Sequence, residues 1–342
     1  MKKILFLGLV HGVNDCIAGF VLGSLLFESI ELTEVGISIL IYNVLAFGGQ
    51  VPFASLLKEY HQPKRWLIAG LVLIMAGLLS FGINYKLAVL CLGLASAIVH
   101  VVGGYETVRE TDKALGLGIF ASPGVMGLIL GGYLAHIQFA LIIPGLGICF
   151  LLLVLTYGQS FSTIPHQSPS QTKIQFDRHD AWMILILTVI AFRSVIWNVF
   201  QLINEGNYET LSIIGISAML GKIAGGYMSD IGGHRKYTFI ALMIAMPLLT
   251  LLKNHVWALF VGIFFLQSTV PSSAKILLGY FQSAPAKGIS FVFGLSIILG
   301  GIFSYLPIQP FIQNNPTILF LFLTSIGLLF WENKTAKFLL RK

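Results

Sequence analysis

The sequence predicts an all-α integral membrane protein with twelve membrane-spanning helices, and three observations predict it. Of 342 residues, 56% are hydrophobic and only 10% charged, whereas soluble domains average roughly 25% charged residues; mean hydropathy is +0.87. Apolar runs of about 20 residues, the length a helix needs to cross a bilayer core, recur twelve times. Most connections are too short for a soluble domain, and the longest polar one, Gln159 to Asp180, follows the sixth run. The expected organisation is an N-terminal six-helix bundle (1-158), a cytoplasmic linker (159-180) and a C-terminal six-helix bundle (181-342).

The first run, Ile4 to Phe27, carries His11, Asn14 and Asp15 at its centre. At about 100° per residue the three share one helical face. Ionisable groups at membrane depth are costly and face protein or a wet cavity, so this face is expected to line a central site. The run follows Met1-Lys2-Lys3, yet it is too long and too polar for a cleaved signal segment and is expected to stay attached. The second run, Val35 to Leu57, leads into a loop with Lys58, Glu59, Lys64 and Arg65; the third spans Trp66 to Asn84. The fourth, Leu87 to Gly104, holds His100 and is followed by Glu106 and Arg109, expected to form gate ion pairs. The fifth, Leu115 to Ala135, presents Gly124, Gly127, Gly131 and Gly132, small residues that let helices approach closely. The sixth spans Phe139 to Gly158.

In the second half, the seventh run, Trp182 to Leu202, contains Arg193, with Asn198 and Gln201 after it. The eighth, Leu211 to Met228, contains Lys222, read as an anchor whose amine reaches the inner interface. The ninth spans Tyr237 to Leu252, and the tenth, Val256 to Tyr280, contains Lys275. The eleventh, Ile289 to Leu306, has Gly294, Gly300 and Gly301 for a contact matching that of the fifth; the twelfth is Ile318 to Trp331. Cys16, Cys91 and Cys149 lie in apolar runs without metal-like spacing and read as free core thiols.

Lys and Arg set the orientation. With the amino terminus inside, the inner loops and ends collect sixteen Lys and Arg, from Lys2 to Lys342, while the outer side keeps Lys86 and Lys253. Both termini are expected in the cytoplasm and the chain in the cytoplasmic (inner) membrane. The net charge of +7 is therefore an orientation signal rather than a nucleic-acid signal.

After the eighth run comes Gly226-Tyr-Met-Ser-Asp230-Ile-Gly-Gly233-His-Arg235-Lys236, which resembles the signature loop of the major facilitator superfamily, with Ile231 where that family usually has a basic residue. Gly226 permits close helix approach, Asp230 can cap or pair near a helix end, and Gly233 turns the chain before a basic anchor. The equivalent loop after the second run is degenerate, with Ser55 and Glu59 in the Gly and Asp places. Within the superfamily, the first 140 residues resemble the fosmidomycin-resistance type of drug exporter. The likeness rests on His11-Gly-Val-Asn14-Asp15, on Ala97-Ile-Val-His100 with Glu106 and Arg109 beyond it, and on the glycine spacing of the fifth run; Val101 and Val102 stand where those exporters have Pro and Glu. Pro123-Gly124 is similar to the helix-5 motif of exchangers in the superfamily, which favours antiport.

The resemblance implies two parallel six-helix repeats around a midplane site, lined by helices 1, 4, 7 and 10. Each carries an ionisable residue: His11 and Asp15, His100, Arg193, and Lys275. At 1.5 Å per residue, Asp15, His100 and Arg193 sit about 16 to 20 Å from the membrane boundary, near the middle of the core, and Lys275 nearer the inner face. Asp15, with His11 or His100 as relay, is expected to carry a proton. Arg193 offers a fork for carboxylate, phosphate or phosphonate, with Lys275, Asn14 and Asn198 as further substrate contacts. Plainer readings stand beside these: Asp15 could lock to Arg193, and His11 could simply bond a helix carbonyl.

The expectation is a secondary transporter, with no enzymatic activity and no cofactor, moving a small organic anion or drug by proton-coupled alternating access, export being favoured. Its partners would be the solute, protons and lipid, with no nucleic acid, and the protein would act as a monomer. No Ser-His-Asp set, phosphate loop or HExxH pair appears, which argues against an enzyme. The rival readings are a divalent-metal carrier using His11, Asp15 and His100, a cationic-drug transporter, and a non-transporting sensor.

Overall fold

The computed structural model describes residues 1–28, 30–60, 62–161, 178–204, 206–301 and 309–339, and among them it is helical without strands. Every predicted apolar run falls mainly on helix where it is described, the end of the eleventh, 302–306, lying outside the described residues. Helices 1 to 6 are Lys2–Ser24, Leu32–Tyr60, Pro63–Phe81, Tyr85–Glu110, Ala114–His136 and Ile142–Gly158. Helices 7 to 10 are Arg178–Ile203, Tyr208–Gly232, His234–Thr250 and Val256–Leu278; helix 11 is Pro285–Gly301 and helix 12 is Asn315–Leu339. Eight of these are long and apolar enough to cross a membrane, whereas Ile142–Gly158, Pro285–Gly301 and the apolar part of helix 12, Asn315–Trp331, are shorter. Seventeen residues of helix 6 rise about 26 Å, a little less than a core of roughly 30 Å.

Helix ends follow local chemistry. The Asn84 side chain accepts from the Leu87 N–H at 3.2 Å, and Asn207 accepts from the Thr210 N–H at 3.0 Å, each satisfying a donor that the first helical turn leaves open. Gly233, at φ 83°, turns the chain between helices 8 and 9, a conformation costly for residues with a Cβ. Pro123, inside helix 5, deprives the Ile119 carbonyl of its usual donor, and the Ser122 hydroxyl donates to that carbonyl at 3.3 Å.

Two helix pairs determine the interior. Helices 1 and 5 meet backbone to backbone: a Cβ on Gly127 or Gly131 would strike the Gly12 or Cys16 carbonyl. Such small-residue contacts replace the hydrophobic drive that lipid does not provide. Helices 2 and 11 each open into one wider π turn, Val44–Gly48 and Phe291–Leu295, and the two turns cross. The buried Gln50 donates to the Phe293 carbonyl at 3.1 Å, and a Cβ on Gly294 would press on the Phe47 carbonyl at 2.6 Å. Gly294 therefore serves a contact between helices 11 and 2, while Gly300 packs against Ala191 and Ser194 of helix 7. Helices 5 and 8 join the first six helices to the last six, with Gly118 against the Lys222 backbone and Gly226 against Leu115.

Candidate functional site

Midway along helices 1, 2 and 4, polar side chains converge beside backbone carbonyls of helix 5, one of which also holds Lys222 of helix 8. His11 is fixed first. Its Nδ1 lies 2.9 Å from the Phe120 carbonyl oxygen, and its ring stacks on Phe120 at 4.9 Å between centroids. A carbonyl can only accept, so Nδ1 carries the hydrogen. The other nitrogen, Nε2, stands 3.1 Å from the Asp15 carboxylate. That contact is attractive only if a proton lies in it, either on Nε2 facing a carboxylate or on Asp15 facing a lone pair. The pair is thus built to hold one proton.

Asp15 is also oriented by its neighbour. Asn14 donates from Nδ2 to Asp15 Oδ1 at 2.8 Å and to the Ser96 hydroxyl at 3.2 Å. Ser96, on helix 4, accepts from the Tyr42 hydroxyl of helix 2 at 3.4 Å. His100, four residues beyond Ser96, has Nδ1 2.7 Å from the Ser96 carbonyl, so its hydrogen is on Nδ1 and Nε2 is left as an acceptor. The His11 and His100 rings lie 4.4 Å apart, edge to face. His11, Asp15 and His100 bring one ligand atom each within 4.8 Å of one another, a set that suits a divalent cation by ligand type.

Gly124 makes room for the pair: a Cβ there would meet His11 Nε2, and Asp15 Oδ2 at 2.6 Å. Lys222, on helix 8, is buried and donates to the Ala121 carbonyl at 3.1 Å, the carbonyl next to the one that holds His11. Arg193, on helix 7, is 7% exposed, makes no ion pair among the described residues, and has its Nε buried without an acceptor. The lock between Asp15 and Arg193 does not form; Asp15 is held by His11 and Asn14 instead.

Several expected roles are corrected. Lys222 is no interfacial anchor. It lies ten residues before the end of helix 8 at Gly232, about 15 Å along the axis, beyond the reach of an extended lysine side chain. Lys275 is not part of the central site. It stands three residues from the end of helix 10 and pairs with Asp112, in the exposed turn after helix 4. Glu106 pairs with Lys3 of helix 1, both buried, a contact within the first six helices. The exposed Arg109 lies over the Tyr105 ring, 6.0 Å from its centroid. Asn198 is half-buried, with its amide 3.7 Å from where a Cβ on Gly301 would stand. The Glu59 side chain, and most of the segment from Gln159 to Asp180, lie outside the described residues.

The signature loop joins the two halves. Both oxygens of Asp230 accept backbone N–H groups at the start of helix 5, Ala114 at 2.8 Å and Leu115 at 3.0 Å, where the helix leaves donors unsatisfied and its dipole favours an anion. Arg235 donates to the Tyr280 hydroxyl at 3.4 Å, within the last six helices. Outside the membrane-spanning segments, the Asp112 carboxyl is held below its ordinary range by its hydrogen bond to Lys275 and then by that residue's charge.

The sequence reading missed Tyr42, Ser96, the Phe120 and Ala121 carbonyls, and the roles of Gly124 and Lys222. Ser96 was findable, being four residues before His100 on one helical face. Tyr42 sits in an apolar run that gives no such signal.

No family model and no curated protein matches the chain. Among solved structures it is similar to the major facilitator superfamily transporter FucP in the outward conformation, with a TM-score of 0.75, 16% identity, and coverage of 98% of this chain and 97% of that one. It is also similar to a variant of the E. coli fucose:proton symporter FucP (TM-score 0.74, 16% identity, 98% and 97% covered). A bacterial homologue of the iron transporter ferroportin, in an outward-facing state, matches at a TM-score of 0.61 with 12% identity and 97% of each chain covered. The chain therefore has the major facilitator fold.

Proposed function

We propose that this protein is a proton-coupled secondary transporter of the major facilitator superfamily that moves a small organic anion across the cytoplasmic membrane. It does so as a monomer of twelve passes in two six-helix halves, with both termini inside. The observation that carries this reading is the His11–Asp15 contact. Because Nδ1 is committed to Phe120, loss of the shared proton leaves a carboxylate facing an imidazole lone pair at about 3 Å, an arrangement the site can hold only by moving. Proton gain and loss thus bias the packing of helix 1 against helix 5, which is what coupling between a proton and an alternating-access fold requires. Asn14, Ser96 and Tyr42 hold Asp15 in place, and Arg193 supplies the fork for the anionic group. Pro123 and Gly124 beside the proton pair favour exchange, and with it export.

The test is proton movement in proteoliposomes with a pH-sensitive dye, challenged by a panel of organic anions, organic cations and divalent metals. Anion-driven proton flux in wild type that Asp15→Asn abolishes supports the reading; flux that survives Asp15→Asn refutes the assignment of Asp15. A second reading is favoured by one observation, the convergence of His11, Asp15 and His100: a divalent cation as the transported solute. Flux driven by metals and not by anions would select it.

A further inference from the structure

Two buried cations in the last six helices have no acid paired with them among the described residues. Lys222 has three donors, and among the described residues the Ala121 carbonyl is their one acceptor. Arg193 has five donors in a fixed plane, with Nε unserved. Buried charges are retained where they are paired or where they await a charged partner, since desolvation otherwise costs several kcal/mol per ion. The nearby acid, Asp15, already shares a proton with His11 and accepts from Asn14, so that pair adds no net negative charge. His100 is neutral when Nδ1 alone carries its hydrogen. Among the described residues, neither Lys222 nor Arg193 therefore has an acid of its own to offset its charge.

The two cations also act on common ground. Lys222 lies within electrostatic range of Arg193 and Asp15, and His100 within range of Lys222. Lys222 reaches helix 5 one carbonyl beyond the anchor of His11, so an anion that drew its amine away would do so beside the proton pair.

We infer that Arg193 and Lys222 form a two-point subsite for a small organic dianion, the Arg193 guanidinium taking one oxyanion group bidentately and the Lys222 amine exchanging the Ala121 carbonyl for the other. This deepens the anion-transport reading and rests on it. Lys222 is then a specificity residue. A monoanion satisfies Arg193 alone and leaves the amine on its backbone acceptor, whereas a dianion neutralises both charges. A charge-assisted hydrogen bond gained by the dianion alone corresponds to roughly ten- to hundredfold tighter binding.

The experiment is ligand-induced thermal stabilisation of the purified full-length protein, titrated to apparent Kd at one pH and salt concentration. The probes are succinate, methylphosphonate and inorganic phosphate, with butyrate and methanesulfonate as monoanions of similar size. The variants are Lys222→Met, which keeps the length of the side chain without its charge, and Lys222→Arg, which restores the charge. Wild type is expected to prefer a dianion by about tenfold or more, Lys222→Met to lose that preference, and Lys222→Arg to regain most of it; the succinate and phosphonate arms show whether carboxylates or a phosphorus oxyanion fit. An unchanged preference in Lys222→Met overturns the inference, as does a wild type that binds monoanions equally well. Should no anion stabilise wild type while metals or cationic drugs do, both this inference and the anionic reading fail. Proton flux with those solutes would then show that transport itself stands.

Discussion

Gly124→Ala is the most informative single change, because one methyl group tests whether the His11–Asp15 contact carries function. A Cβ at position 124 would stand 2.6 Å from both Asp15 Oδ2 and His11 Cε1, roughly 1 Å short of ordinary van der Waals separation. Neither side chain can retreat freely. His11 is pinned by Phe120 through a hydrogen bond and ring stacking, and Asp15 by Asn14. One charge-assisted contact must therefore stretch out of range, a loss of about 1.5–3 kcal/mol, or roughly ten- to hundredfold in proton affinity. Helix propensity works in the opposite direction, since alanine is about 1 kcal/mol better than glycine in a helix interior, so a folding defect is not the trivial outcome. The assay is solute-driven proton flux in proteoliposomes across a pH series, with Gly132→Ala as control, because nothing lies within 4 Å of a Cβ at that position in the same helix. We expect Gly124→Ala to lose most of the flux and to shift its pH profile, and Gly132→Ala to match wild type. Wild-type flux and an unshifted profile in Gly124→Ala would refute the reasoning.

Other perturbations probe the ties around this centre. Glu106→Ala leaves the buried Lys3 amine with its weaker contact to Glu110 and the face of the Phe161 ring; a loss of up to about 3–5 kcal/mol is expected, read as a lower denaturation midpoint in detergent, and a wild-type midpoint would mean that the pair is energetically silent. Asp230→Ala removes the acceptor for two N–H groups at the start of helix 5, about 0.5–2 kcal/mol for a cap. Because that cap spans the two halves, spin labels at the ends of helices 4 and 10 should move apart, and an unchanged distance distribution would count against a gating role. The tie between Asp112 and Lys275 should be present at neutral pH: a carboxyl whose folded pKa is depressed contributes above its ordinary range and loses its contribution as pH falls through the lowered value. The same label distance should therefore stay constant down to about pH 5, whereas Asp112→Asn should lengthen it at pH 7; lengthening in wild type already at pH 6 would contradict this.

Legibility differed sharply between the two helical faces that make the site. Lipid imposes length and polarity on any segment that crosses it, so the twelve apolar runs, and the rarity of His11, Asp15, His100 and Arg193 within them, could be read directly from residue order. The four-residue spacing of His11 and Asp15 is a local helical fact, and the pair forms as the spacing implies. What packs against them is not local. Lys222 and Lys275 are both single lysines in apolar runs, and sequence ranked them in the wrong order. Their helix ends, set by Gly232 and Leu278, put one at mid-depth and the other at the rim. Gly124 looked like one of four interchangeable packing glycines; only the approach of helix 1 shows that it faces His11 and Asp15 while Gly132 faces open space.

Sequence by itself therefore determined that the chain is a helical membrane protein with ionisable groups at its centre, because the solvent enforces those constraints segment by segment. Tertiary structure alone decided which charges meet. It placed the Phe120 carbonyl where it fixes the tautomer of His11, and among the described residues it left Arg193 and Lys222 without an acid. Those outcomes depend on close contacts between helices far apart in the chain, where a shift of a few ångströms changes which groups can bond.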